Sequence, residues 1–285
     1  MNTGTGPLAG QTFLVTGANT GIGRATAIEL ARQGGRVHLA CRSEAKTAPV
    51  LEEIRALAGA AEPAYLPLDL SDLSSVRRAA GAFVDSGERL DVLINNAGVA
   101  GQRGFTTDGF ELSFGINHLG HFLLTALLLG RLGESAPGRV VMVSSGSHYQ
   151  AKGIDWEAVR RPTRSLTGLP EYAVSKLANV LFAQELARRC AGTGITTYAL
   201  HPGVIASDAW RRMPGPLRFT MKLFMKSTTE GAKTSLYCAT SSEVADSSGR
   251  FYDDCQEREP NPVATPELGA ELWARSESWV STDSG

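Results

Sequence analysis

Short apolar and β-branched runs recur along the chain, each ending at a turn residue and followed by a stretch with helical spacing. The first, Thr12-Phe13-Leu14-Val15-Thr16, stops at Gly17 as a buried parallel strand does. Beyond it Gly23, Ala27, Leu30 and Ala31 share one helical face, and their small size lets that helix lie close to a sheet. Gly34-Gly35 ends the helix. The alternation then predicts strands at 37–40, 65–68, 91–95, 140–143 and 196–200, and helices at 44–58, 74–84, 116–132 and 172–189. Strands that are apolar throughout, with helices between them, predict an α/β fold built on one doubly wound parallel sheet covered on both faces. After Pro202 the regularity weakens. A helix over 229–239, a short strand near 250–252 and a last helix over 266–280 complete a single domain spanning 10–285, preceded by a flexible tail, 1–9.

Composition narrows the possible partners. The 28 Lys+Arg balance 29 Asp+Glu for a formal net charge of -1, which argues against a nucleic-acid binder or a polybasic membrane-surface protein. The longest largely apolar run, residues 122–129, is far short of a membrane span, and residues 1–9 are expected to be neither a signal peptide nor an anchor. Cys41, Cys190, Cys238 and Cys255 are scattered, as free thiols of a reducing compartment would be, and a cytoplasmic location is expected. Gly is the outlier, 31 of 285, and its positions matter more than its number.

Three of those glycines lie in Gly17-Ala18-Asn19-Thr20-Gly21-Ile22-Gly23, between a strand and the start of a helix. Glycines there permit a tight turn and a close backbone approach to a pyrophosphate, which the helix N-terminus then holds with its free N–H groups. The end of the second strand reads Ala40-Cys41-Arg42-Ser43, with no carboxylate until Glu44. An acid there would bond a ribose 2′-hydroxyl, whereas Arg42 suits a 2′-phosphate, so NADP(H) is expected in preference to NAD(H). Tyr172 and Lys176 stand at i and i+4, placing a phenol and an ammonium on one helix face. His118 and His121 are spaced i and i+3, but no third ligand accompanies them; packing or capping is expected, and no metal.

These motifs, with Asp69-Leu70, Asn95-Asn96-Ala97-Gly98, Asn117, Ser144-Ser145 and Pro202-Gly203, occur in an order that resembles the short-chain dehydrogenase/reductase family, over residues 8–252. The strings Ala40-Cys41-Arg42, 116–122, 175–182 and 201–204 are similar to its retinol dehydrogenase-like branch. The resemblance implies a Rossmann fold and an oxidoreductase that interconverts an alcohol with a ketone or aldehyde, here on a lipophilic small molecule. It implies that Tyr172 is the acid/base, with Lys176 lowering its pKa and holding the nicotinamide ribose. Ser145 would bond the substrate oxygen, and Asn117 would hold a water behind Lys176.

Cofactor contacts are implied for Gly17, Asn19, Thr20, Gly21, Ile22, Gly23, Arg42, Asp69, Leu70, Asn95, Ala97, Gly98, Pro202, Gly203, Val204 and Ser207. Ser207 stands where the family usually has Thr and keeps the hydroxyl. Residues 204–228, with Met213, Phe219, Met221, Phe224 and Met225, fall where the family has a substrate-covering segment. The connection from Ser145 to Tyr172 is about a dozen residues longer than in the simplest members and reads as an ordered excursion, with Arg160, Arg161 and Arg164 on a solvated face. Relatives pair through the helices that hold Asn117 and Tyr172, so a homo-oligomer is a possibility. A non-catalytic NADP-binding sensor or scaffold, and an epimerase or lyase of the same fold, are the competing readings.

Overall fold

In the computed structural model, which describes residues 4–203 and 227–281, Thr12–Thr16 (β1) is buried at every position and pairs in parallel with Arg36–Cys41 (β2) on one side and Val92–Asn95 (β4) on the other. Ala64–Pro67 (β3) extends the sheet beyond β2. Gly138–Val143 (β5), Ile195–His201 (β6) and Arg250–Asp253 (β7) extend it beyond β4, all in parallel, and Gln256–Arg258 (β8) lies antiparallel at the edge, giving the order β3-β2-β1-β4-β5-β6-β7-β8. The chain therefore reverses its winding between β1 and β4. In such sheets the crevice beyond the carboxyl ends of the strands at that reversal is where ligands bind.

Alternate residues of each strand feed two cores. Phe13, Val15, Val92 and Ile94 face one layer, which includes Gly21–Arg32 (α1), Glu44–Arg55 (α2) and Thr228–Thr240 (α6). Leu14, Leu93, Val140 and Met142 face the other, with Leu73–Asp85 (α3), Leu112–Glu134 (α4), Leu169–Arg189 (α5) and Pro266–Ser281 (α7). Burial on both faces is why the strands read as continuous apolar runs.

Three expectations are corrected. Residues 4–9 dock rather than hang free: Leu8 is buried, and the Thr5 and Leu8 amides donate to the Gly59 and Gln33 carbonyls at 2.7 and 2.9 Å. An antiparallel edge strand, Gln256–Arg258 (β8), follows β7 through a two-residue turn in which Asp254 and Cys255 both take positive φ, 52° and 60°. Asp-Cys is not a customary pair for that turn, so the hairpin left no sequence signal. Helix α4 is also longer than the predicted 116–132 and, by length and composition alone, could cross a membrane, but 72% of its apolar window is buried inside the fold.

The fold also shows what covers the apolar helices. α7 lies across α4 and α5, with Trp273 stacked on Phe182, 5.7 Å between centroids, and Trp279 edge-on to Phe110 and Phe114. Apolar surface on these two helices is thus covered by the chain's own C-terminal helix.

Candidate active site

Two structures meet at the strand ends. The first is the turn from β1 into α1. Gly17 has φ 67°, and a Cβ on it would come within 2.9 Å of the Ala97 Cα; one on Gly23 would come within 2.5 Å of the Gly17 carbonyl oxygen. Gly21, at φ 59°, faces open space. Thr20 gives no side-chain cap to α1, so the amides at this helix end have no side-chain acceptor at the N-cap position. A tightly packed turn, an open face and an uncapped helix N-terminus fit a dinucleotide pyrophosphate. Asn19 and Ile22 are half-buried on the same turn.

Around this turn the other predicted cofactor residues are placed unequally. Arg42 is exposed immediately beyond β2 and forms no ion pair among the described residues. The preceding Cys41 is buried beneath the turn; burial pushes its thiol pKa up, against hydrogen bonds from Thr47 and the backbone of residues 17–19. Asp69 accepts from the Ser71 amide and hydroxyl at 2.9 and 2.6 Å, while Leu70 is buried against Gly120. The Asn95 side chain is fully buried, and its Nδ2 donates to Thr125 Oγ1 at 2.8 Å and Met142 Sδ at 3.0 Å while its Oδ1 has no hydrogen-bond partner among the described residues. Ala97 is half-buried and Gly98 exposed beyond the end of β4, and Pro202 and Gly203 are half-buried beyond β6, whereas Val204, Ser207 and the residue 204–226 part of the expected lid lie outside the described residues.

The second structure is the group on α4 and α5. Asn117 lies in a π-helical turn, Gly115–Leu119, where the Gly120 amide donates to the Gly115 carbonyl five residues back. Its carboxamide clamps the chain after β4, accepting from Val99 N at 2.8 Å and donating to Val99 O at 3.0 Å and Ser175 Oγ at 2.9 Å. Lys176 is buried and donates from Nζ to Val143 O at 2.8 Å, with Nζ 5.6 Å from the Tyr172 ring centroid. Tyr172 is half-buried with the Ser145 side chain beside its phenol, while Ser145 Oγ itself donates to Ser147 Oγ at 3.3 Å and accepts from Ser147 N at 3.2 Å. Asn117, Ser145, Tyr172 and Lys176, 59 positions apart at the extremes, are brought together.

Electrostatics differ from the expectation in one respect. Burial raises the Tyr172 phenol above its ordinary value, partly offset by the Ser145 side chain, and burial lowers Lys176 to about 7. The expected lowering of the phenol by the ammonium is not what the geometry produces. Desolvation dominates both groups, and Nζ is directed at a backbone carbonyl.

Two histidines not anticipated as site residues hold the backbone of this group. His148 Nδ1 contacts Ser145 O at 2.7 Å, and its Nε2 accepts from Asn261 N at 3.1 Å. His121 Nδ1 contacts Asn117 O at 3.0 Å, and its Nε2 meets Thr16 Oγ1 at 2.9 Å. The i, i+3 spacing that first drew attention to His118 and His121 carries no metal site among the described residues. His118 is instead a core residue, bonded to Ser276 Oγ at 3.0 Å among Phe114, Phe122 and Phe182.

The long connection into α5 is ordered. Gly168, at φ 67°, starts the helix hard against the Gln102 carbonyl, and Glu171 accepts from the Arg164 and Ser165 amides. The buried Glu111 caps α4 at Phe114 N and accepts from Thr163 Oγ1 at 2.5 Å. Arg160 does not simply face solvent, since its guanidinium stacks 4.1 Å above Phe110; Arg161 pairs loosely with Glu157 and Arg164 is exposed.

The chain is similar in sequence and fold to known proteins. A family model described as short chain dehydrogenase matches residues 11–158. The chain is 47% identical to mouse (Mus musculus) retinol dehydrogenase 12 over 87% of its length and 79% of that protein's. It is 42% identical to human retinol dehydrogenase 13, over 97% and 86%. Among solved structures, an uncharacterized protein from Mycobacterium paratuberculosis superimposes with a TM-score of 0.78 at 37% identity, over 98% of this chain and 96% of the other. A short chain dehydrogenase from Burkholderia cenocepacia J2315, crystallised with NADP, gives a TM-score of 0.70 at 25% identity, over 86% and 96%.

Proposed function

The chain belongs to the short-chain dehydrogenase/reductase family and is an oxidoreductase acting on CH–OH groups; from that premise we propose that it uses NADP(H) and interconverts a lipophilic alcohol with its aldehyde or ketone. The observation that carries the cofactor choice is Arg42, exposed beyond the end of β2 and free of any ion pair among the described residues, with the buried Cys41 thiol beneath the glycine turn where a carboxylate would select a ribose hydroxyl. The relatives named for retinol and the neighbour crystallised with NADP support the same reading.

Gly17 to Gly23 would hold the pyrophosphate, Arg42 the 2′-phosphate, and Lys176 the nicotinamide ribose. A bound nicotinamide supplies or accepts the hydride. Ser145 positions the substrate oxygen beside the Tyr172 hydroxyl, whose pKa the Ser145 side chain lowers. Because burial keeps the phenol protonated at neutral pH, Tyr172 is ready to donate its proton to a carbonyl oxygen during reduction. In the oxidative direction the same oxygen must first lose its proton, so that rate rises with pH. Asn117 holds the Val99 backbone against α5 and so sets the wall behind Lys176.

The test is a panel of lipophilic aldehydes and ketones followed by loss of reduced-nicotinamide absorbance with NADPH and NADH in parallel. Activity with NADPH at least about tenfold above NADH, reversed or abolished in Arg42→Asp, is expected, since a charge-assisted phosphate contact contributes about 1.5–3 kcal/mol. An unchanged cofactor ratio in Arg42→Asp would remove the assignment.

A further inference from the structure

His121 has no role in the reading above, yet it is fully buried between the two halves of the site. Its contacts fix its protonation. The Asn117 carbonyl can only accept, so the 3.0 Å contact requires the proton on Nδ1. Burial lowers the imidazole pKa to about 4, so the ring is neutral and Nε2 is an acceptor. Thr16 must then donate its hydroxyl to Nε2, and its oxygen is left to accept the Asn96 and Ala97 amides, both at 2.9 Å. Beyond Asn117 the sequence of bonds continues: Nδ2 donates to Ser175 Oγ at 2.9 Å, and that hydroxyl donates to Tyr172 O at 2.7 Å.

We propose that His121 is a positioning residue, the central link of one hydrogen-bonded rod that runs from the cofactor turn at Thr16 and Ala97, through Asn117 and Ser175, to the backbone of Tyr172. Within the rod, His121 is the side chain that reaches β1, through Thr16, while Asn117 holds the chain after β4 at Val99. The π-helical turn makes the link possible. Gly115 packs against Thr106 and Gly120 against Leu70, both closer than any Cβ would permit, and the Asn117 carbonyl between them is offered to an imidazole one turn on. A rod of this kind transmits the placement of the cofactor's cradle to the acid/base, where a misplacement of about 1 Å can cost about a hundredfold in rate. The inference rests on the functional reading above for its kinetic consequence, though not for the existence of the rod.

The experiment combines ¹⁵N-histidine NMR of the cofactor-free protein with NADPH binding and steady-state kinetics. The rod requires a His121 ring that is neutral with its proton on Nδ1, and a Thr16→Val substitution whose amide shift changes extend through Asn117 to Ser175 and Tyr172. In folded His121→Leu, kcat is expected to fall about tenfold or more and NADPH affinity severalfold. His121→Asn, which can restore an N–H donor to the Asn117 carbonyl, is expected to recover kcat more than NADPH affinity. The Thr16→Val/His121→Leu double variant should be little worse than the more damaging single one, as for residues acting through one link. A proton on Nε2, shift changes confined to the neighbourhood of Thr16, or a folded His121→Leu with both kcat and affinity within twofold of wild type would overturn the proposal. Failure of the wild-type protein to bind either nicotinamide would instead overturn the functional reading, while the NMR arm would still decide the rod.

Discussion

The glycine turn and the Tyr172 group do their work by opposite means. The turn is made of backbone: Gly17 and Gly23 allow contacts that no Cβ would permit, and the helix that follows has no side-chain cap from Thr20. The Tyr172 group is made of side chains from α4, α5 and the turn just beyond β5, and burial governs the ionisation of Tyr172 and Lys176. The first depends on seven consecutive residues and the second on positions scattered over much of the fold. Damage to the turn should therefore act on cofactor binding, and damage to the group on chemistry.

The sharpest break between them is Tyr172→Phe. It is expected to lower kcat by about 10²–10⁴ while leaving NADPH affinity within a fewfold, read by turnover and by fluorescence titration. Equal losses in both would show that the two halves are not separable. Next is Gly23→Val against Gly21→Ala. A Cβ on Gly23 meets the Asn96 side chain and the Gly17 carbonyl, so this variant should lose cofactor binding or fold poorly. Gly21 faces open space, and Gly21→Ala should cost only about 1 kcal/mol of conformational strain. Thermal unfolding and NADPH titration of the pair would distinguish them.

A smaller effect is carried by Lys176. Its folded-state pKa, about 7, lies below the ordinary 10.5, so between those values the unfolded chain binds more protons than the folded one. Stability must then rise with pH across that window. The cofactor-free wild type should gain Tm between pH 7 and pH 9 relative to Lys176→Met, which lacks this contribution; parallel Tm profiles would contradict a buried, depressed ammonium. The smallest effect on turnover is that of Thr163→Val, which removes the donor to the buried Glu111 carboxylate. A loss of about 1–3 kcal/mol with kcat unaltered is expected, read by denaturant unfolding beside kinetics.

Legibility in the sequence followed the same division. The strand runs, the glycine turn and Arg42 could be read because each is a local pattern tied to one element. The edge strand β8 could not, since its turn uses Asp254 and Cys255 in place of the usual Asn-Gly pair. Nor could the inward turn of Asn95, because only the packing of β4 against α4 sets Thr125 and Met142 beside its amide.

What the sequence by itself determined is the order of the main strands and helices, the doubly wound sheet and the glycine turn, because strand burial and glycine backbone freedom leave their marks in consecutive residues. Only the tertiary structure decided the rest. It drew the opposed pKa shifts of Tyr172 and Lys176 from a common burial, gave His121 and His148 their single tautomers, and laid α7 over the apolar surface of α4 and α5. Desolvation and hydrogen-bond direction belong to surroundings assembled from distant parts of the chain, and no stretch of sequence specifies them alone.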